Sequence, residues 1–229
     1  VGTFCDYYST LFCYMSFFVM VGGAASTLSQ EYGLAPWIGA VILTILAIIT
    51  VVGGLNSLVD AIGVVGPIIV VLCIAIGLIT CARDGGNIAE GLEVIRTQSF
   101  AGMTDEPIKN AGANWLISGL SYAGFVLLWF ASFTSALGAK NNKKDLNYGI
   151  IGGTLAVCIA IVLISFAQIA NINTGLGDGK TFVWNADIPN LILATRIWKP
   201  FSAIFAIVVF AGIYTTAVPL LYNPVSRFA

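Results

Sequence analysis

Long uninterrupted runs of apolar residues, separated by shorter polar segments, dominate the chain. A helix that crosses a bilayer needs about 20 mostly apolar residues, and six segments approach that length. They cover residues 7–28, 37–52, 61–82, 115–138, 148–170 and 201–222. Helices satisfy their own backbone hydrogen bonds in lipid, and these segments lack the alternating pattern of membrane strands. The pattern therefore predicts an all-α integral membrane protein with about six transmembrane helices.

The two longest connections, residues 83–113 and 171–200, each contain a helical pattern of their own. In the first, apolar residues recur at helical spacing: Ile88, Leu92 and Ile95. In the second, the corresponding residues are Ile188, Leu191, Ile192 and Thr195. Spacing of this kind predicts a short helix in each connection, lying at the membrane surface.

A short basic connection sets the expected orientation. Lys140, Lys143 and Lys144 lie between the fourth and fifth predicted spans, opposed only by Asp145. Cytoplasmic loops collect Lys and Arg, so this connection is expected inside the cell. The two long connections then lie outside and both chain ends lie in the cytoplasm, in agreement with Arg227 after the last span. The expected location is the plasma membrane, crossed several times.

Composition supports a membrane class and excludes several others. The 229 residues are 58% hydrophobic and only 9% charged, against roughly 25% charged in soluble domains. The chain therefore reads as a single transmembrane helical domain over residues 1–229, with the lipid bilayer as a partner. There is no basic patch for nucleic acid, no histidine, and no visible pair of nucleophile and base, so an enzyme is not expected. The five cysteines show no metal-binding spacing, and oligomeric state is left open.

The last predicted span carries a group of neutral oxygens. Gly212, Thr215 and Thr216 share one helical face and offer one carbonyl and two hydroxyls. Pro219 has no N–H, which leaves the Thr215 carbonyl without its helical partner. Because the predicted span interiors hold no charged residue, any coupling ion must be bound by oxygens like these. The alternative is that both hydroxyls bond to the preceding turn or to a neighbouring helix, and spacing alone favours that alternative.

The fourth predicted span is rich in small and hydroxyl-bearing residues near its outer half. These residues are Ser118, Gly119, Ser121, Tyr122 and Gly124. Transporters often interrupt a helix at such a point, so that backbone groups face a substrate. The alternative is a small-residue packing face, although the five-residue spacing of the two glycines fits the usual packing motif poorly. The sequence alone favours neither interpretation over the other.

Several segments resemble the YkvI-like membrane proteins of the amino acid–polyamine–organocation superfamily. They read GGAAS, YGLAPWIGAVILTILA, VVGGLNSLVDAIGVVGPIIVVL, NWLISGLSYAGFVLL and IYTTAVPLLYNPVSRF. The resemblance covers nearly the whole chain and rests on loop lengths and small-residue patterns. It implies a LeuT-like bundle of five plus five helices related by an inverted repeat. The six spans would correspond to its helices three to eight, with the first two helices absent from a chain truncated at its start.

The resemblance also implies roles for the two groups of residues. Helix eight of that fold contributes a carbonyl and a Ser/Thr pair to a sodium site, which Gly212, Thr215 and Thr216 match by position. Helix six is broken around the substrate, which implies non-helical backbone within residues 118–124 and a binding role for its five small or polar residues. No cofactor is implied beyond Na⁺ as a coupling ion.

Two functions follow as hypotheses. The first is a secondary active transporter of a small, amino-acid-like solute, expected to be a Na⁺-coupled symporter. The second is a ligand-sensing membrane receptor subunit that reuses the same fold without net transport, as the spore-germination subunits do. A structural membrane protein, the third class considered, should lack both the threonine pair and the broken helix.

Overall fold

The computed structural model describes the backbone of residues 2–53, 55–103, 112–140 and 142–228, and the side chains of residues 7–53, 63–103, 112–127 and 142–225. The described chain forms eight α-helices and no strand, apart from one isolated bridge between Gly175 and Phe182. The helices are α1 (Gly2–Tyr32), α2 (Pro36–Gly53), α3 (Leu55–Asp84), α4 (Ile88–Thr97), α5 (Trp115–Lys140), α6 (Lys143–Ala170), α7 (Pro189–Ile197) and α8 (Lys199–Phe228). A 3₁₀ turn, Gly85–Asn87, joins α3 to α4.

Five of these helices are long and apolar enough to cross a membrane: α1, α2, α3, α6 and α8. Each covers one of the predicted spans, so the described residues confirm an all-helical chain with several apolar helices of membrane-spanning length. The remaining predicted span lies in α5, which is 26 residues long. Side chains of α5 are described only as far as Leu127, and that part is apolar on average but shorter than a membrane span. The count of six spans and the match to helices three to eight of a LeuT-like bundle stay predictions.

The basic connection is shorter than predicted, because α6 begins at Lys143. The Oδ1 atom of Asn142 accepts a hydrogen bond from the Lys144 backbone N–H at 3.3 Å, and Asp145 lies in the first turn. Both features stabilise a helix start, the first by satisfying a free N–H and the second through the helix dipole. The side chains of Lys140 and Arg227, which entered the orientation prediction, lie outside the described residues.

The tight turn between α1 and α2 depends on a glycine. Gly33 has a φ of +66°, and its N–H donates to the carbonyl of Ser29 at 2.9 Å. This is the left-handed helix cap that glycine adopts without steric cost. The chain then reverses into α2, whose Gly39 approaches α1 so closely that an added Cβ would lie 2.8 Å from the Ala24 carbonyl oxygen. Small residues therefore allow the first two helices to pack backbone to backbone.

Helix α8 lies at the centre of the bundle, since α1, α2, α3 and α7 all pack against it. Two clusters of buried apolar side chains flank it. The first joins α3, α6 and α7 to the start of α8 around Ile76, Ile164 and Phe205. The second joins α1 and α2 to the later part of α8 around Leu43 and Val218. The described residues of α8 from Phe210 to Leu221 are accordingly buried or half-buried, whereas Ile204 and Ile207 nearer its start are exposed.

Helix α7 is present as predicted, and other helices of the protein enclose it. Its four consecutive residues Leu191, Ile192, Leu193 and Ala194 are at most 2% exposed and belong to the first cluster. Four consecutive apolar residues occupy all sides of one helical turn, so this turn packs against neighbours on every side. The position of α7 relative to the membrane surface stays a prediction. The periodic spacing of Ile188, Leu191 and Thr195 described only one of its faces.

Candidate functional site

The three oxygens predicted on α8 lie close together inside the bundle. The Oγ1 atoms of Thr215 and Thr216 both donate to the Gly212 carbonyl, at 2.9 and 3.0 Å. Thr215 is only 7% exposed, and Thr216 is half-buried. Gly212 itself faces α3, where an added Cβ would collide with the end of the Ile69 side chain. The helix continues through Pro219, so the nearby Thr215 carbonyl has no N–H partner four residues on.

This geometry is compatible with both interpretations of the threonine pair. A hydroxyl that bonds back to the preceding turn satisfies its own proton, as the packing alternative requires. The same hydroxyl keeps its oxygen lone pairs, which a cation can use. The described residues contain no group of three or more His, Cys, Asp or Glu side chains that would hold a metal, so neutral oxygens are the donors at hand. Neutral oxygens are the type of ligand atom that Na⁺ binds. The remaining ligands of such an ion have to come from another segment.

The predicted interruption of the fourth span is wrong. Helix α5 runs without a break from Trp115 to Lys140, through all of residues 118–124. Its start is well defined, because the Asn114 side chain accepts from the Ile117 N–H at 2.9 Å and so caps the helix. Glycine lowers the cost of breaking a helix but does not force a break. In an apolar setting, an interrupted backbone would need other partners for its polar groups.

The five candidate substrate residues on α5 are not enclosed by the described part of the chain. Ser118 is half-buried, while Gly119, Ser121 and Gly124 are exposed and Tyr122 is 67% exposed. A Cβ added at either glycine would touch no described atom within 4 Å, so the packing alternative gains no contact either. Helix α5 packs on α1, and the Phe125 ring meets the Phe12 ring at a centroid distance of 5.1 Å.

An ion pair between the ends of α3 and α7 was not predicted. Asp84, at the end of α3, is 8% exposed and accepts two hydrogen bonds from Arg196 at the end of α7. The distances are 3.2 Å from Nε and 3.1 Å from the nearer terminal nitrogen. Arg83 donates to the Arg196 carbonyl at 2.9 Å, and Thr174 accepts from the third guanidinium nitrogen at 3.4 Å. The paired geometry holds α7 against α3 through two parallel charge-assisted bonds.

One sequence signal points to this pair. Arg196 lies within a short apolar segment, and a charged residue in such surroundings needs a partner. Asp84 directly follows the third apolar run and lies in the predicted connection over residues 83–113. Since the two residues are 112 positions apart, spacing arguments do not connect them.

Side-chain hydrogen bonds from α1 and α6 hold the start of α7. The side chain of Gln30 on α1 donates to the Ile188 carbonyl at 3.0 Å and accepts from the Ile188 N–H at 3.2 Å. Gln168 on α6 donates to the Asn190 side chain at 2.9 Å.

An open polar cleft of about 420 Å³ lies beside Gln30, between the end of α1, the start of α2 and the loop before α7. Its lining consists of Ser26, Ser29, Gln30, Pro36, Leu176, Asp178, Lys180, Thr181, Asn185, Ala186 and Asp187.

The cleft wall is shaped by a turn that Asp178 closes. Its carboxylate accepts from the Thr181 hydroxyl at 2.6 Å, and from the backbone N–H groups of Thr181 and Lys180 at 2.8 and 2.9 Å. These bonds, above all the one from the Thr181 hydroxyl, lower the pKa of Asp178 from 3.8 to about 2. Hydrogen bonds to the ionised form favour that form, so the carboxylate stays charged at physiological pH.

Replacing Asp178 with Ala should increase hydrogen exchange at the Lys180 and Thr181 amides. Because the folded pKa is lowered, the stabilisation is complete above the ordinary value of 3.8 and is lost as the pH falls through about 2. Protection factors in the native protein should therefore stay constant between about pH 5 and 8. Exchange measured by mass spectrometry tests this, with Asp187→Ala as the control. Unchanged protection in the Asp178 variant would contradict the role given to its carboxylate.

Comparison with protein-family models, with curated proteins and with solved structures finds no match to this chain. The site residues therefore have to be interpreted from their own chemistry and surroundings. What the described chain establishes is an all-helical bundle with membrane-length helices, three clustered oxygens at its central helix and a polar cleft at one end.

Proposed function

We propose that this chain forms part of a secondary active transporter for a small, amino-acid-like solute, with Na⁺ as the coupling ion. The proposal includes the resemblance to YkvI-like proteins of the amino acid–polyamine–organocation superfamily. It also includes a plasma-membrane location with the α5–α6 connection and both chain ends in the cytoplasm. Several membrane-length helices and two short helices within the long connections support this layout.

The observation that carries the proposal is the clustering of Gly212, Thr215 and Thr216 oxygens on the helix around which the others pack. An apolar interior makes polar groups costly, so a buried position that keeps three oxygens together favours a function for them. In the proposed protein, such oxygens replace part of the hydration shell of a bound Na⁺, which then links the positions of α8 and the segment supplying the other ligands. The linkage makes solute uptake depend on the sodium gradient.

The proposed solute contacts come from side chains rather than from an opened backbone. Because α5 is continuous, its backbone groups are used within the helix. Within residues 118–124, the hydroxyls of Ser118, Ser121 and Tyr122 are then the side-chain groups that can donate to a solute or accept from it. Gly119 and Gly124 leave room beside these hydroxyls, since nothing described lies within 4 Å of where their Cβ atoms would be.

Replacing Thr215 and Thr216 together with Val should remove the Na⁺ dependence of uptake while leaving the fold intact. Valine keeps the shape of threonine and removes the oxygen. The sodium concentration for half-maximal uptake should rise at least about tenfold, which corresponds to 1.4 kcal/mol of lost binding. The measurement is radiolabelled amino-acid uptake into proteoliposomes that contain the full-length protein, across a range of sodium concentrations.

The matched control is the double variant Thr27→Val with Thr44→Val. Both of these hydroxyls also bond back to the preceding turn of their helices, at 2.7 and 2.8 Å, but neither belongs to the α8 cluster. The control should keep the native sodium response. If the α8 variant transports normally with an unchanged sodium response, the two threonines are packing residues and the cation assignment is wrong.

The unbroken α5 favours a second candidate, the ligand-sensing receptor subunit without net transport. Such a subunit binds its solute but has no need to open a helix for passage. Counterflow separates the two candidates. A transporter exchanges labelled solute into vesicles preloaded with unlabelled solute, whereas a sensing subunit binds the labelled solute without accumulating it.

A further inference from the structure

The polar cleft beside α1 carries two opposite charges that the protein does not pair. Lys180 and Asp187 both line the cleft and both are exposed. Neither forms an ion pair with another described residue, whereas the third charged residue of the lining, Asp178, is occupied by its bonds to the 180–181 turn. One ammonium and one carboxylate are therefore available on the wall of a single cleft.

The remaining lining is suited to a small polar molecule. Ser26 and Ser29 present hydroxyls from α1, and Asn185 belongs to the loop on the other side. A volume of about 420 Å³ lies within the range of small-molecule sites. The only clearly apolar contributors among the lining residues are Leu176, Pro36 and Ala186, so the cleft does not favour an apolar ligand.

The position of the cleft relates it to the α8 oxygens. Ser26 lies one helical turn from Gly23, and Gly23 packs against Ile213 of α8, the residue next to Gly212. The cleft therefore lies one helical turn along α1 from a residue that contacts α8 next to the oxygen cluster. In the orientation proposed above, the cleft lies at the outer end of the bundle.

We infer that this cleft is an outer binding site for a zwitterionic amino acid, whose carboxylate binds Lys180 and whose ammonium binds Asp187. The inference rests on the proposed transport function and names its substrate class. Two charges of opposite sign select against molecules that carry only one of them, because an unmatched charge in the site is left without a partner. The hydroxyls of Ser26 and Ser29 supply neutral hydrogen bonds that suit several side chains.

Binding at equilibrium tests the inference without requiring transport. Saturation-transfer NMR on the full-length protein in detergent should detect a panel of neutral amino acids. It should show at least about tenfold weaker binding of their methyl esters and N-acetyl forms, which lack one charge each. Lys180→Met and Asp187→Asn should each weaken amino-acid binding to a similar degree. Lys144→Met and Glu93→Gln, exposed charges at other places, should leave binding unchanged.

A second measurement needs no variant. In the native protein, a saturating neutral amino acid should slow the reaction of the Lys180 amine with an acylating reagent and leave that of Lys144 unaffected. Equal binding of the esters, or unchanged binding in both cleft variants, would overturn the assignment, as would an unprotected Lys180. Binding that survives in a protein with no uptake would instead reject the transport proposal and keep the site.

Discussion

Replacing Arg196 with Met should lower the stability of the folded protein by about 3 kcal/mol, the low end of what breaking a buried ion pair costs. The low end applies because Arg196 is 35% exposed, whereas its partner Asp84 is 8% exposed. The variant removes both hydrogen bonds that Arg196 donates to the buried Asp84 carboxylate and leaves only the longer contact with Arg83, whose Nε lies 3.9 Å away. A buried charge with so little compensation is strongly unfavourable. Methionine retains the apolar length of the side chain, so lost packing contributes little.

Thermal unfolding in detergent, followed by circular dichroism, measures the effect. The double variant Asp84→Leu with Arg196→Met removes both charges and should recover most of the lost stability, since apolar pairs replace buried ion pairs well. Arg96→Met is the matched control, because Arg96 is 83% exposed and lies 3.9 Å from Glu93 on the surface of α4. Such a surface pair contributes less than about 1 kcal/mol. If the Arg196 and Arg96 variants unfold at the same temperature, the ion pair does not hold α7 in place.

The positions of the membrane-length helices were predictable because run length is set by the solvent. Lipid offers no partner for backbone groups, so an apolar run of sufficient length has one way to fold. Local rules also predicted α4 from the spacing of Ile88, Leu92 and Ile95. The same rules predicted α7, because helix formation depends mainly on neighbouring residues.

Tertiary position was not predictable by the same rules. Whether α7 lies on the surface or inside depends on apolar faces supplied by α3, α6 and α8, far away in sequence. The Asp84–Arg196 pair has the same character, since its members are 112 residues apart. The continuity of α5 shows the limit for glycine-rich segments: Gly119 and Gly124 permit a break, but only the surroundings of the helix decide whether one forms.

The candidate oxygen cluster on α8 was predictable only in part. The spacing of Gly212, Thr215 and Thr216 placed them on one face, and the helix brings both hydroxyls to the same carbonyl. That part follows from helix geometry alone. What the oxygens bind depends on ligands from outside α8, which spacing within one helix does not address. The role in cation binding therefore stays a prediction, tested by the valine variants.

Two glycines within one apolar run are alike in local sequence but differ in their tertiary contacts. Gly63 and Gly77 both lie in α3 between two apolar residues, and nothing in their immediate sequence ranks one above the other. The structure separates them. A Cβ added at Gly77 would lie 2.7 Å from the Leu163 Cβ and 3.2 Å from the Ile164 backbone nitrogen, whereas one at Gly63 would touch nothing within 4 Å. Gly77 is the point where the backbones of α3 and α6 meet.

Replacing Gly77 with Ala should therefore destabilise the protein by about 1–3 kcal/mol, the usual cost of overpacking a well-filled interior. The neighbour in the way is backbone and Cβ rather than the flexible end of a side chain, so α6 has to move as a unit. Replacing Gly63 with Ala in the same helix should be neutral or slightly stabilising, because alanine is the better helix former by about 1 kcal/mol. Thermal unfolding of the two variants in one detergent compares them directly, with helix propensity held equal. A Gly77 variant as stable as the Gly63 variant would mean that α3 and α6 do not approach at this position. The first buried cluster, which depends on that approach to enclose α7, would then need a different arrangement.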